Sequence, residues 1–499
     1  MTRSALCKRF HLDRLLRDRA HCGFVGVKMK TLCLALILGL TATTSAAQVI
    51  GTDHIESAPL ALGVLSTPAQ AGCNSSPCPL NNISLSPSKA NSTTAAASPL
   101  NSLNLLAVSD NYDCNTLAGI YVSTDGGLTW TGSCFQFYLA TGDPVLSYGS
   151  ELAYIAGANA SFSGCGGCGW VATSTDNGLS WSEPIAAARP LQPSGLTNAP
   201  AIQVDNSAGS PFLGSVYLSV TQFDAQVVES EISVSHSTDS GNTWVTTTVD
   251  PIQYKPIVDQ DSRMAIGADG TVYVAWQRCA MTGPNINCAD TDAQMLLSKS
   301  TDGGNTWSTP VVIATVHLVP DTCDCAFFGN LPLTNEPVSN MPVLGIDNSH
   351  GPHAGNLYAV MYTWNGTQMR TMVATSSDGG NTWAKPVVVA PAKHDQFFAS
   401  LSVSPSGMVG VSWLDRRNDP LNVSYQPYAA ASLNGGASFS KSYPVTTFLS
   451  DPYLDGNGGT YMGDYTGNTW AGNNYFLVTW PDSRNLQFMQ DYIGGFRIK

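Results

Sequence analysis

Positive charge is scarce in this 499-residue chain: 23 Lys and Arg face 36 Asp and Glu, a formal net charge of −13. Charged residues of both signs make up only 12%, about half the share of an average soluble domain. That shortage excludes a coiled coil, a long-helix protein and a charged disordered chain, all rich in Glu, Lys and Arg. It also argues against nucleic acid as a partner, because phosphate binding needs clustered Lys and Arg. A membrane-spanning run is missing as well, since the apolar stretch from Leu32 to Leu40 is too short to cross a bilayer.

That stretch reads instead as the core of a secretion signal. Lys28-Met29-Lys30 precedes it, and small residues ending Ser45-Ala46-Ala47 follow, which is the order of a basic region, an apolar region and a cleavage site. Residues 1–47 are therefore expected to be a signal peptide, with Met29 as a candidate true start and a secreted or periplasmic destination. Removing them takes the net charge to −19 and leaves eight Arg and seven Lys. No Arg lies between residue 48 and Arg189. Residues 48–79, rich in Ala, Ser and Pro, read as a linker ahead of one domain, 80–499.

Ten cysteines remain, in sequence-local couples: Cys73/Cys78, Cys114/Cys134, Cys165/Cys168, Cys279/Cys288 and Cys323/Cys325. An even number in an exported chain reads as disulfides. A zinc site from Cys165, Cys168, Cys323 and Cys325 is the alternative, and a cross-pairing among the couples stays open because Cys323/Cys325 would be a strained bridge.

What the chain has in abundance is a repeat. Ser123-Thr-Asp-Gly-Gly-Leu-Thr-Trp130 recurs from Ser174 to Trp181, Ser237 to Trp244, Ser300 to Trp307 and Ser376 to Trp383, with a degenerate copy from Ser432 to Phe439. Asp or Asn bonds its own backbone, Gly takes the left-handed position and the aromatic packs under the turn, so each copy predicts a β-hairpin turn. The copies are the Asp box, and the chain resembles the sialidase-like, or BNR-repeat, proteins. The resemblance implies an all-β propeller of four-stranded blades, with each box between a third and a fourth strand. Seven strand-like segments, among them Thr271–Trp276, Met408–Trp413 and Tyr475–Trp480, read as second strands. Seven blades are expected, six being the alternative, with the stretch near Asn82–Ser86 supplying the last blade's fourth strand.

On that topology the boxes mark one face, and the loops after each second strand and before each first strand share the other. By the resemblance, the active site belongs on the face opposite the boxes. Five of the eight remaining arginines fall there: Arg263, Arg278, Arg416, Arg417 and Arg484. Arg suits bidentate binding of carboxylates, although Trp413-Leu-Asp-Arg-Arg417 and Trp480-Pro-Asp-Ser-Arg484 read equally as repeated structural ion pairs. The resemblance implies a Tyr nucleophile activated by Glu, an Asp acid and an Arg triad. The corresponding candidates are Tyr461 with Glu336, Asp261 as the acid, and Arg263, Arg416 and Arg484 around a substrate carboxylate. Arg278 and Asp464 are further substrate-binding candidates, and Glu229, Asp395 and His394 share the face. Their structural reading is that Asp464 caps a turn and Tyr461 is packed aromatic surface. The chain departs from the family in lacking its early Arg-Ile-Pro motif.

The expected function is carbohydrate binding or hydrolysis, most concretely an exo-glycosidase acting on sialic acid or another acidic sugar. The alternative is a non-catalytic propeller that binds glycan or protein. A lyase or hydrolase on uronic-acid polymers is a third reading, needing a groove with His394 or a Tyr together with an Arg. The expected partner is a carbohydrate or glycoconjugate, the expected state a monomer. No cofactor is called for, with calcium left open by the acidic loop Asp455-Gly-Asn-Gly-Gly459, which lacks a closing Glu.

Overall fold

The computed structural model describes residues 62–65, 80–84, 86–137, 142–282, 288–322 and 328–498. Among them are seven antiparallel sheets, each a meander of four consecutive strands except where the chain closes on itself. The innermost strands are Ala90–Ala97, Val145–Tyr148, Leu196–Val204, Ile257–Ile266, Val343–Ile346, Gln396–Val403 and Gly467–Ala471. Each touches the next, and the last touches the first. This is a seven-bladed β-propeller.

Closure comes from the N-terminal side. Asn81 and Asn82 pair antiparallel with Ile493 and Tyr492, so a residue pair ahead of the first blade forms the outer strand of the seventh. Hydrogen bonds across more than 400 positions join the chain's two ends there, such as Asn82 Nδ2 to Gln490 Oε1 at 2.8 Å. Within the stretch expected as a linker, Leu62–Leu65 forms a strand beside Trp130–Cys134, on the outer edge of the first blade. The signal peptide and the rest of that stretch lie outside the described residues.

Second strands such as Val409–Asp415 and Tyr475–Asp482 are buried along their whole length, because neighbouring blades cover both of their faces. They therefore read as nearly continuous apolar runs rather than as an alternation. Trp276, Trp413 and Trp480 on these strands are among the largest fully buried side chains. Outer strands such as Val245–Tyr254 are largely exposed.

All six octapeptides lie between third and fourth strands. In the first, Ser123 Oγ donates to Asp125 Oδ1 at 2.8 Å and accepts from Gly127 N at 2.9 Å. Thr129 donates to the same carboxylate through N and Oγ1 at 2.9 and 2.6 Å, and Trp130 Nε1 donates to Gly127 O at 3.2 Å. The same Thr and Ser hydroxyls and Thr N–H hold Asp239, Asp302 and Asp378 down at about 2.

Disulfides join Cys114 to Cys134, Cys165 to Cys168 and Cys279 to Cys288, so Cys165 and Cys168 are bonded to each other rather than offered to zinc. All three sit on the face opposite the octapeptides. Cys73/Cys78 and Cys323/Cys325 lie outside the described residues. Among the described residues, no helix is long and apolar enough to cross a membrane.

Candidate functional site

The inner strands enter from the face opposite the octapeptides, called the mouth below. Several bulge just inside it, placing Ser92, Ala199, Asp261 and Phe398 at positive φ. A bulge re-aims the side chains that follow it. In the fourth blade it puts Arg263 on the channel side, while Asp261 stays buried. Below this layer lies a cavity of about 450 Å³, lined by all seven inner strands, with Arg263, Asp464 and Tyr465 at its mouth end.

Above that layer, acidic side chains from three blades converge. Asp110 stands next to last in the first blade's second strand, Leu105–Asn111, Asp143 leads into the second blade, and Asp464 leads into the seventh. Asp143 N donates to Asp110 Oδ1 at 3.0 Å. The Asp143 and Asp464 carboxyls lie close enough to influence one another's charge. Tyr461 Oη donates to Asp464 Oδ2 at 2.6 Å, and Asp464 N donates to Ser92 Oγ at 3.2 Å. Gly463 makes that approach: its φ is +106°, and a Cβ there would stand 2.7 Å from Ser92 N.

Asp143, Asp464 and Arg263 each keep some surface, yet enough protein surrounds them that desolvation is the largest influence on each. It raises Asp143 well above the usual carboxylate range, helped by repulsion from Asp464 and Asp110. It raises Asp464 against the opposing pull of Tyr461, Asp143 and Arg263. Asp110 is likewise pushed well up by burial. Asp261 is pushed up to about 7 by burial, against the pull of Arg263. Carboxyls raised together in this way titrate as a coupled group rather than singly. Arg263 has no carboxylate within ion-pair distance among the described residues. It donates to Ser262 O at 2.8 Å and contacts Met341 Sδ, and its guanidinium lies 5.8 Å from the centre of the Tyr465 ring.

Tyr461, Asp464, Asp261 and Arg263 are thus brought together, and the other sequence candidates are not. Of the arginines grouped as a triad, Arg263 alone lines the cavity. Arg484 grips Asp482 through Nε and Nη2 at 2.8 and 2.7 Å, and Trp480 Nε1 donates to the same carboxylate. Arg417 and Trp413 hold Asp415 in the same way. The repeated Trp-x-Asp-x-Arg pattern is a structural clasp. Arg278 is bonded to both oxygens of Asp259 at 2.7 and 2.6 Å and paired with Asp250. Arg416 is fully buried, 3.7 Å from Asp395. Asp395 in turn accepts from Met369 N and Asn422 Nδ2. His394 Nδ1 lies 3.2 Å from Arg416 O, and Glu229 opens the third strand of the third blade. Glu336 is also fully buried, and its carboxyl faces Asp455 and the Met462 N–H rather than the Tyr461 hydroxyl. Asp455 accepts four backbone N–H bonds from its own loop, at 2.7 to 2.9 Å.

Asp110 and Asp143 were missed by reading for arginine. Two signals were present. Gly142-Asp143 repeats Gly463-Asp464 ahead of an inner strand, and Asp110 stands near the end of a second strand as Asp415 and Asp482 do.

The sequence matches no family model and no curated protein. Solved structures do resemble the fold. A polysaccharide lyase described as an ulvan lyase is 11% identical, with a TM-score of 0.51 over 84% of this chain and 96% of that one. A Streptococcus pneumoniae sialidase is 12% identical, with a TM-score of 0.43 over 79% and 83%. An α-L-arabinanase from Penicillium chrysogenum is 14% identical, with a TM-score of 0.43 over 69% and 90%. At such identities the likeness concerns the fold.

Proposed function

We propose that this chain binds and hydrolyses a glycan at the channel mouth, with Tyr461 as the nucleophile and Asp464 as the base that activates it. The observation that carries the reading is the 2.6 Å bond from the Tyr461 hydroxyl to Asp464, with the Asp143 carboxyl acting on both groups. A nucleophile in contact with a base that a third group orients is the signature of covalent catalysis. Asp143 keeps surface at the mouth, and burial with its acidic neighbours favours its protonated form, so in this reading it serves as the acid toward the leaving group. Asp261 is 1% exposed and acts through Arg263 rather than on substrate.

Ordinary glycosidase pairs hold their carboxyls roughly 5–9.5 Å apart, whereas Asp464 is hydrogen-bonded to a tyrosine hydroxyl. That favours Tyr461, rather than a carboxylate, as the attacking group. The acidic-sugar version is less well supported, because Arg263 faces Asp261, Asp143 and Asp464 without a second arginine beside it. A β-elimination on a uronic-acid polymer draws support from the juxtaposition of Tyr465 and Arg263.

The test is a panel of fluorogenic glycosides, a sialoside included, together with polyuronates followed by the ultraviolet absorbance of unsaturated product. Hydrolysis that falls by about 100-fold or more in Tyr461→Phe and Asp464→Asn, with ligand binding kept, supports the reading. Glycan binding without turnover on any substrate overturns it in favour of a non-catalytic propeller.

A further inference from the structure

Glu336 is a buried acid that the proposed chemistry does not use. It ends a turn that forms the bed of the loop carrying Tyr461 and Asp464. Leu331 N donates to Glu336 O at 2.8 Å, closing the turn. Arg416 Nη1 donates to Pro332 O at 2.9 Å and Tyr453 Oη to Leu333 O at 2.8 Å. A few residues on, Ser339 Oγ donates to Asp464 O at 2.8 Å. Segment 331–339 and loop 453–464 are therefore stitched together along their length.

The loop is organised from inside by Asp455. Gly456, Gly458 and Gly459 take φ of +80°, +83° and +81°, which turns successive N–H groups inward as in an anion-binding nest. The anion in the nest is the chain's own: Asp455 accepts from Asn457, Gly459, Thr460 and Tyr461 N. The Glu336 carboxyl lies at zero exposure against that carboxylate and the Met462 N–H, and no other side chain donates to its oxygens.

We propose that Glu336 is a positioning residue for the loop that carries Tyr461 and Asp464, acting as a neutral carboxylic acid that donates its proton to the Asp455 carboxylate. Two ionised carboxylates in contact there would be uncompensated. Arg416 is the cation at hand, but its nearest carboxylate is Asp395 and its Nη1 is on Pro332. Tyr425 also faces Glu336, and Asp419 and Tyr453 face Arg416. Burial first, then Asp455, pushes Glu336 well above the usual carboxylate range, in keeping with a neutral acid at neutral pH. When Glu336 ionises, the loop loses its bed and Tyr461 its fixed place.

Backbone hydrogen exchange over residues 455–464 of the full chain tests this without requiring turnover. Wild type, Glu336→Gln and Glu336→Ala are compared at neutral and alkaline pH after normalising to intrinsic rates. Wild-type protection should fall by on the order of tenfold on the alkaline side, the loss of one buried hydrogen bond. Glu336→Gln, whose amide still donates to Asp455, should keep its protection at both pH values, and Glu336→Ala should have lost it at both. An identical pH response in wild type and Glu336→Gln overturns the proposal, as does full protection in Glu336→Ala. The catalytic consequence rests on the proposed function: in Glu336→Gln the alkaline limb of kcat should move to higher pH while KM stays. An inactive wild type would sink the glycosidase reading and leave the exchange result standing.

Discussion

Two clusters of ionisable side chains flank the loop that runs from Asp455 to Gly463, and they handle charge in opposite ways. On the mouth side, Asp110, Asp143 and Asp464 crowd around Tyr461, with Arg263 as the nearby arginine and with Asp143 and Asp464 keeping surface. On the inner side, Arg416, Asp395, Glu336 and Asp455 are sealed at zero exposure. There the arginine leans on a carboxylate and a backbone carbonyl, and Asp455 is saturated by backbone N–H groups. The sealed cluster ties three segments of the fold together. The open one gathers more carboxyls than packing requires, at a desolvation cost of several kcal/mol per ion. Such concentrations of perturbed carboxyls mark functional sites.

The comparison breaks first, and hardest, at Arg416. Arg416→Met should destabilise the fold by about 3–5 kcal/mol, because it leaves Asp395 buried without its cation. Urea unfolding measures this, and a loss under about 1 kcal/mol would mean that the sealed cluster is not structural.

Asp143→Asn and Asp464→Asn should do the reverse: abolish activity while leaving stability unchanged or higher above neutral pH. The sign follows from proton binding. Each carboxyl is raised in the folded state, so the folded chain binds more protons than the unfolded one, and stability falls as pH rises. Replacing either carboxyl with an amide removes part of that fall. Melting curves of wild type and variants on the alkaline side read the difference.

The same linkage predicts a two-sided pH profile for the whole domain. Asp261 and Asp491, pushed up by burial to about 7 and about 8, should erode stability from the acid range up through those values. Asp239, Asp302 and Asp378, held at about 2, contribute stability above the usual Asp value that is lost as pH falls toward 2. Asp491→Asn should flatten the alkaline side and leave the acid side alone, a contrast that thermal unfolding against pH would show.

The smallest effects belong to the clasps. Arg484→Lys keeps the charge but not the paired bonds to Asp482, and should cost about 1 kcal/mol with activity unchanged. A large activity loss would place Arg484 in the site after all.

The order of legibility follows the range of the interactions. The octapeptide turns were readable because Ser, Asp, Gly, Thr and the aromatic bond one another within eight residues, and their spacing with the second strands predicted seven blades. Ring closure near Asn82 was readable from a missing strand. Loop membership, by contrast, placed Arg263, Arg278, Arg416 and Arg484 on one face without telling where each side chain points. Asp482 and Tyr492 hold Arg484, while a bulge turns Arg263 into the channel. Nothing in the sequence near Tyr461 says that its hydroxyl meets Asp464 while Glu336 lies behind the same loop.

The opening scarcity of Lys and Arg was a property of the sequence alone, as were the repeat and the exclusions that followed. Local hydrogen bonding and packing period determined the propeller. Which carboxyls would lack a cation was decided only when ring closure brought blades one, two, four and seven together, because burial and partner distance, not composition, set whether a charge is clasped, sealed or left to do chemistry.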